Sequence, residues 1–172
     1  RTANVQPVVL HRLQHKLARW HFPGHPPWIA GRILRRLRLL KPLVPPRVHV
    51  AVFSALWNRW TTARRFQVEG SPCLLGCNCH DQEDSIEHYL VCPVVLEVAR
   101  TRLNLHFGPA CSRRCLLLDV LPQVGRSLRR WLPRCAVLVY AVGRTTNSAR
   151  HRGQMTPVTA IQAIKEAIYE GT

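Results

Sequence analysis

Apolar positions along this chain recur at helical spacing, and no stretch alternates persuasively in the manner of a strand. VVLHRLQHKLARW, residues 8–20, reads as an amphipathic helix, ended where HFPGHPP supplies Pro and Gly. In WIAGRILRRLRLLKP, residues 28–42, Ile33, Leu34, Leu37 and Leu40 line one side, with Arg32, Arg35 and Arg36 at i, i+3 and i+4 on another. LVPP breaks that helix. Pro46 suits the first turn of the next, which the pattern carries through RVHVAVFSALWNRWTTARRF to residue 66. After a loop-rich stretch, PVVLEVARTRL predicts a helix from Pro93, and SRRCLLLDVL a shorter one capped by Ser112. Residues 125–150 read as one long helix, kinked or restarted at Pro133. The last helix has the clearest ends: Thr156 as N-cap, Pro157 in the first turn, AIQAIKEAIYE as body and Gly171 past the end. The expectation is an all-α fold, helical bundles with one loop-rich insertion.

Charge divides this helical pattern into blocks. Lys and Arg number 25 against 9 Asp and Glu, a formal charge of +16 that attracts polyanions. All but three of the basic residues are arginine, which grips phosphate with paired hydrogen bonds and also stacks on bases. Residues 1–68 hold thirteen Lys or Arg and no acid. Residues 69–99 hold six acids (Glu69, Asp81, Glu83, Asp84, Glu87 and Glu97) and no Lys or Arg. From Arg100 the chain is basic again. The boundaries expected are therefore a basic helical bundle over 1–68, an acidic segment over 69–99 and a helical region over 100–172. With 47% apolar residues, 172 positions suffice for one ordinary domain or two small ones.

The acidic block carries the densest chemistry. CLLGCNCHDQEDSIEHYLVCP, residues 73–93, places four cysteines and two histidines close together, and a structural zinc site takes four such donors in a tetrahedron. Asp84 and Glu87 resemble a capping box for a helix from Ser85, which would set His88 and Cys92 at i and i+4 on one face. Cys73 and Cys77 flank a turn in which Gly76 can take a positive φ, while Cys79 or His80 could replace either. Four soft ligands would close the coordination sphere, so the expected zinc is structural and no catalytic residue is assigned. Asp81, Glu83 and Glu87 then read as loop-solvating acids. A finger without Lys or Arg is a brace, not a grip on nucleic acid.

The grip is expected in the arginines outside the finger. Arg32, Arg35, Arg36 and Arg38 come first as phosphate contacts and Arg64 and Arg65 second, with Arg113/Arg114 and Arg129/Arg130 third. Phe53, Trp57 and Trp60 recur at helical spacing and read as core before they read as stacking platforms. His11, His15, His21 and His25 lack accompanying thiols or carboxylates and read as surface or satisfied side chains. Cys111 and Cys115 read as buried thiols. No run approaches the ~20 apolar residues of a membrane span. The start has no signal peptide and no initiator methionine, so a piece of a longer intracellular protein is expected, its cysteines reduced.

WNRWTTARRFQ, then Cys73 and Cys77, then EDSIEHYLVCP form a more specific pattern than a generic zinc site. Over residues 46–93 the chain resembles the C-terminal region of non-LTR (LINE-type) retrotransposon reverse transcriptases, where a helical thumb precedes a Cys/His zinc-binding segment. The resemblance implies zinc ligands at Cys73, Cys77, His88 and Cys92 and a thumb-like bundle before about residue 68. It also implies a parent polymerase that copies RNA into DNA in the nucleus, with RNA or DNA and the rest of that polypeptide as partners. The Cys77–His88 gap is longer than in many members, and no Tyr-x-Asp-Asp or Phe-x-Asp-Asp of a polymerase palm occurs. The competing expectation is a free-standing zinc adaptor that meets a protein through its acidic finger.

Overall fold

The structure, a computed structural model, describes residues 6–19, 28–79, 83–106 and 127–172. Those residues form an all-α fold of seven helices: α1 (Gln6–Arg19), α2 (Trp28–Leu40), α3 (Pro46–Leu56), α4 (Ile86–Tyr89), α5 (Pro93–Leu103), α6 (Leu128–Arg152) and α7 (Pro157–Gly171). Among them there is no strand, only an isolated antiparallel bridge between Pro72 and Glu83. The expected helix at 112–121, with Cys111, Cys115, Arg113 and Arg114, lies outside the described residues, as do His21, His25, His80 and Asp81.

Helix α6 is the spine, packed against α3 on one side and α7 on another. Its buried stripe includes Leu132, Cys135, Leu138, Ala141, Val142 and Ala149, the i, i+3, i+7 recurrence that a core-facing helix requires. It runs unbroken through Pro133, with no restart. A proline five residues from the helix start removes a single main-chain donor, and the buried stripe on either side of it offsets that loss. Helix α7 begins as expected: Thr156 accepts from the Thr159 N–H, and Thr159 reciprocates to the Thr156 N–H. Gly171 is its last helical residue, buried against the Tyr140 ring.

Helix α3 is shorter than its apolar pattern predicts. It stops at Leu56, Trp57 caps it, and Asn58 turns left-handed at φ 50°. Phe53 and Trp57 stack with ring centroids 4.6 Å apart, and Trp60 lies 6.4 Å from Tyr89. The stripe belongs to the core, all three rings half-buried against it. A single 3-10 turn, Arg64–Phe66, then leads into the finger. One apolar cluster draws on all three charge blocks, from Leu13 through Cys73, Tyr89 and Cys92 to Leu138 and Ile168. No helix among the described residues is long and apolar enough to cross a membrane.

Candidate metal centre

Two local structures bring the donors together. In the first, the Gly76 N–H bonds the Cys73 carbonyl at 3.2 Å, and Gly76 takes φ 66°, a region in which a Cβ is strained. In the second, Ser85 is the N-cap of α4 and accepts from the His88 N–H at 3.1 Å. Helix α4 ends at Tyr89, and Cys92 is the N-cap of α5, with Pro93 in its first turn. His88 and Cys92 therefore do not share a helix as their i, i+4 spacing suggested. A tight corner at Leu90 and Val91 turns both toward the same point.

Asp84 does not cap α4. The residue is 3% exposed, and its carboxylate receives the Tyr89 hydroxyl at 2.7 Å, the Ala63 N–H at 2.8 Å and Arg150 Nη2 at 2.8 Å. Ser85, one position later, occupies the N-cap position and its hydroxyl makes the cap. Asp84 is left to join the finger to the turn after α3 and to α6.

The four donors Cys73, Cys77, His88 and Cys92 are all buried, and their ligand atoms lie within 4.8 Å of one another. Tetrahedral zinc with bonds of ~2.3 Å holds its sulfurs about 3.8 Å apart, so this set is compatible with a metal ion after small movements. Cys79 stands beside the quartet, half-buried, its Sγ 2.9 Å from that of Cys77 and 3.9 Å from His88 Nε2. The protons are unevenly shared. The hydrogen bond from Cys92 and the approach of His88 bring Cys73 down to about 4 against the opposing effect of burial. Burial above all pushes Cys77 up to about 12. Cys92 is driven upward by the bond it makes to Cys73 and by burial. One thiolate held by neighbouring donors in a buried pocket is chemistry that a divalent cation would complete.

The turn between α6 and α7 clamps the Cys73–Cys77 loop. The Met155 N–H bonds the Leu74 carbonyl at 3.0 Å, and Gln154 Nε2 bonds the Cys73 carbonyl at 3.0 Å. A Cβ on Gly76 would stand 2.1 Å from the Met155 carbonyl oxygen. No sequence signal near the cysteines points to these partners, which lie about eighty residues away. The site is thus built from three separated parts of the chain.

The arginines expected to meet phosphate are dispersed. On α2, Arg35 and Arg38 are exposed and Arg32 half-buried, but Arg36 is 6% exposed and lies with the core face. One residue before Leu37 and three after Ile33, it falls within the apolar arc and not opposite it. Arg64 pairs with Glu83 at 2.9 Å. Arg65 donates to the Arg59 carbonyl at 2.7 Å and lies over the Phe66 ring. Arg129 and Arg130 are exposed at the start of α6, and His11 and His15 are exposed on α1. The chain matches no protein-family model, no curated protein and no solved structure.

Proposed function

We propose that this chain is a zinc-braced helical module that binds nucleic acid, and that it serves the polymerase of a non-LTR retroelement as its thumb and zinc-binding region. Cys73, Cys77, His88 and Cys92 would hold the zinc, whose contribution is to cross-link the finger loop to the α4–α5 corner. The observation that carries the reading is the buried quartet of three thiols and one imidazole in a chain of net charge +16. A brace needs all four positions filled, and burial excludes the water that a catalytic zinc would activate.

The finger's acids weigh against an adaptor. Asp84 is buried, Glu83 is paired with Arg64 and Glu97 with Arg100, so three of the finger's six acids are engaged within the chain. The exposed arginines, by contrast, supply the attraction to RNA or DNA.

Binding of the zinc-loaded chain to RNA and DNA, measured by fluorescence anisotropy at rising salt, tests this. Log affinity should fall linearly with log salt, with a slope of about −0.7 for each phosphate contact on a single strand. An affinity that stays flat overturns the nucleic-acid reading. A reading frame without a polymerase palm upstream of Arg1 would separate the chain from the polymerase while leaving its binding untouched.

A further inference from the structure

Residues of α3, of the loop after it and of α6 line a groove of about 370 Å³ that none of the expected arginines lines. Its walls carry Arg47 from α3, Arg59 from the loop after it, and Arg144 and Arg150 from α6. Trp60 and Tyr140, both half-buried, supply aromatic surface, and Thr61 and Asn147 supply hydrogen-bonding groups. On α6 the lining positions Tyr140, Gly143, Arg144, Asn147 and Arg150 recur every three or four residues, so a single face of the helix is given over to the groove.

Glycine within a helix costs about 1 kcal/mol relative to alanine, so Gly143 calls for a reason. A Cβ there would stand 3.0 Å from Trp60 Cζ2. Its absence lets the indole lie close against the helix backbone at the groove's edge. The charges are partly balanced. Arg150 bonds Asp84, Arg144 pairs with Glu170, and Arg47 donates to the Glu170 carbonyl. Among the described residues no acid pairs with Arg59. Four guanidinium groups against two carboxylates leave the groove net positive.

We infer that this groove seats one nucleotide of a single-stranded nucleic acid, its phosphates on Arg59 and Arg144 and its base against Trp60. The inference rests on the nucleic-acid reading above and narrows it to a strand and a place. Positive walls with aromatic surface at nucleotide size suit an unpaired strand, whose bases are free to stack. A duplex keeps its bases inside and is too broad to enter a groove of this size, so its phosphates would fall on exposed arginines elsewhere, Arg35 and Arg38 among them.

The test compares a short single strand with a duplex of equal length on the zinc-loaded full chain. The wild-type chain should prefer the single strand. Arg59→Ala with Arg144→Ala should weaken single-strand binding about tenfold and reduce its salt slope by about 1.4, while changing duplex affinity by no more than about twofold. Trp60→Phe should weaken single-strand binding with the slope unchanged, and melting curves establish that each variant is folded. Arg35→Ala with Arg38→Ala should lower both affinities alike. Equal affinity for the two ligands in the wild type, or a single-strand preference that survives the groove variants, overturns the inference and leaves the nucleic-acid reading standing. A chain that binds neither ligand overturns both.

Discussion

Asp84 and Glu83 are neighbours in sequence with very different weight in the fold. Glu83 pairs with Arg64 in solvent, both side chains about half exposed, and such pairs contribute on the order of 0–1 kcal/mol. Asp84 is buried under the Tyr89 hydroxyl, the Ala63 N–H and Arg150. Removing it leaves three donors unsatisfied, so Asp84→Ala should cost about 3 kcal/mol in chemical denaturation and Glu83→Ala less than about 1. Equal effects would show that the Asp84 bonds are not what ties the finger to α6. The thiols make a second prediction at this scale. With Cys73 low and Cys77 and Cys92 high, the metal-free site at neutral pH holds two protons that an incoming cation must displace. The raised thiols are favoured in their protonated form, so affinity rises with pH and falls as pH falls. Zinc binding near neutrality should release about two protons, a change of about a hundredfold in affinity per pH unit. Calorimetry in buffers of different ionisation enthalpy counts those protons, and a release near zero would contradict the assignment.

At the scale of elements, the Cys73–Cys77 turn is held as much by the α6–α7 turn as by its own geometry. Gly76 meets two demands at once, a positive φ and a backbone approach that leaves no room for a methyl group. Gly76→Ala should therefore destabilise by well over the roughly 1 kcal/mol of the dihedral term alone, since the clash is with backbone and cannot be relieved by a side-chain rotation. It should weaken zinc affinity as well, because displacing Met155 also frees the Leu74 carbonyl. Loss of stability with zinc affinity unchanged would mean that the loop forms its half of the site without the clamp. Helix α3 shows a related effect. Its apolar spacing continues past Leu56 to Trp57 and Trp60, yet the chain leaves the helix there. Periodicity shows which residues enter the core but not the backbone path that delivers them.

For the molecule as a whole, the finger is not an appendage. Cys73, Leu75, Cys77, Ile86, Tyr89, Leu90 and Cys92 belong to the same buried cluster as the helices. Chelation should accordingly lower the melting temperature of the entire chain in one transition, and helical signal should fall with it. Two separated transitions, a metal-sensitive finger and indifferent helices, would show that the shared core does not couple them. The charge blocks along the sequence mark changes of surface, and the apolar core crosses both boundaries.

Much of this could be read from the residues in order. The all-α character, the start of α5 at Pro93, the Thr156 cap and the turn at Gly76 all depend on neighbours within four positions, and local sterics and hydrogen bonding act at that range. The same range made Cys73 with Cys77 and His88 with Cys92 recognisable as two pairs of donors, while it left Cys79 and His80 open as replacements. Contacts far apart in the chain decided the rest. Arg150 and Asp84 are 66 residues apart, and Gln154 and Cys73 are 81, with nothing at either end to name its partner. Tertiary packing also turned Arg36 inward and gathered Arg47, Arg59 and Arg144 around one groove. Charge alone gives an arginine no address. Spacing along a helix sets only which face it shares, and what that face meets is fixed by how the helices pack.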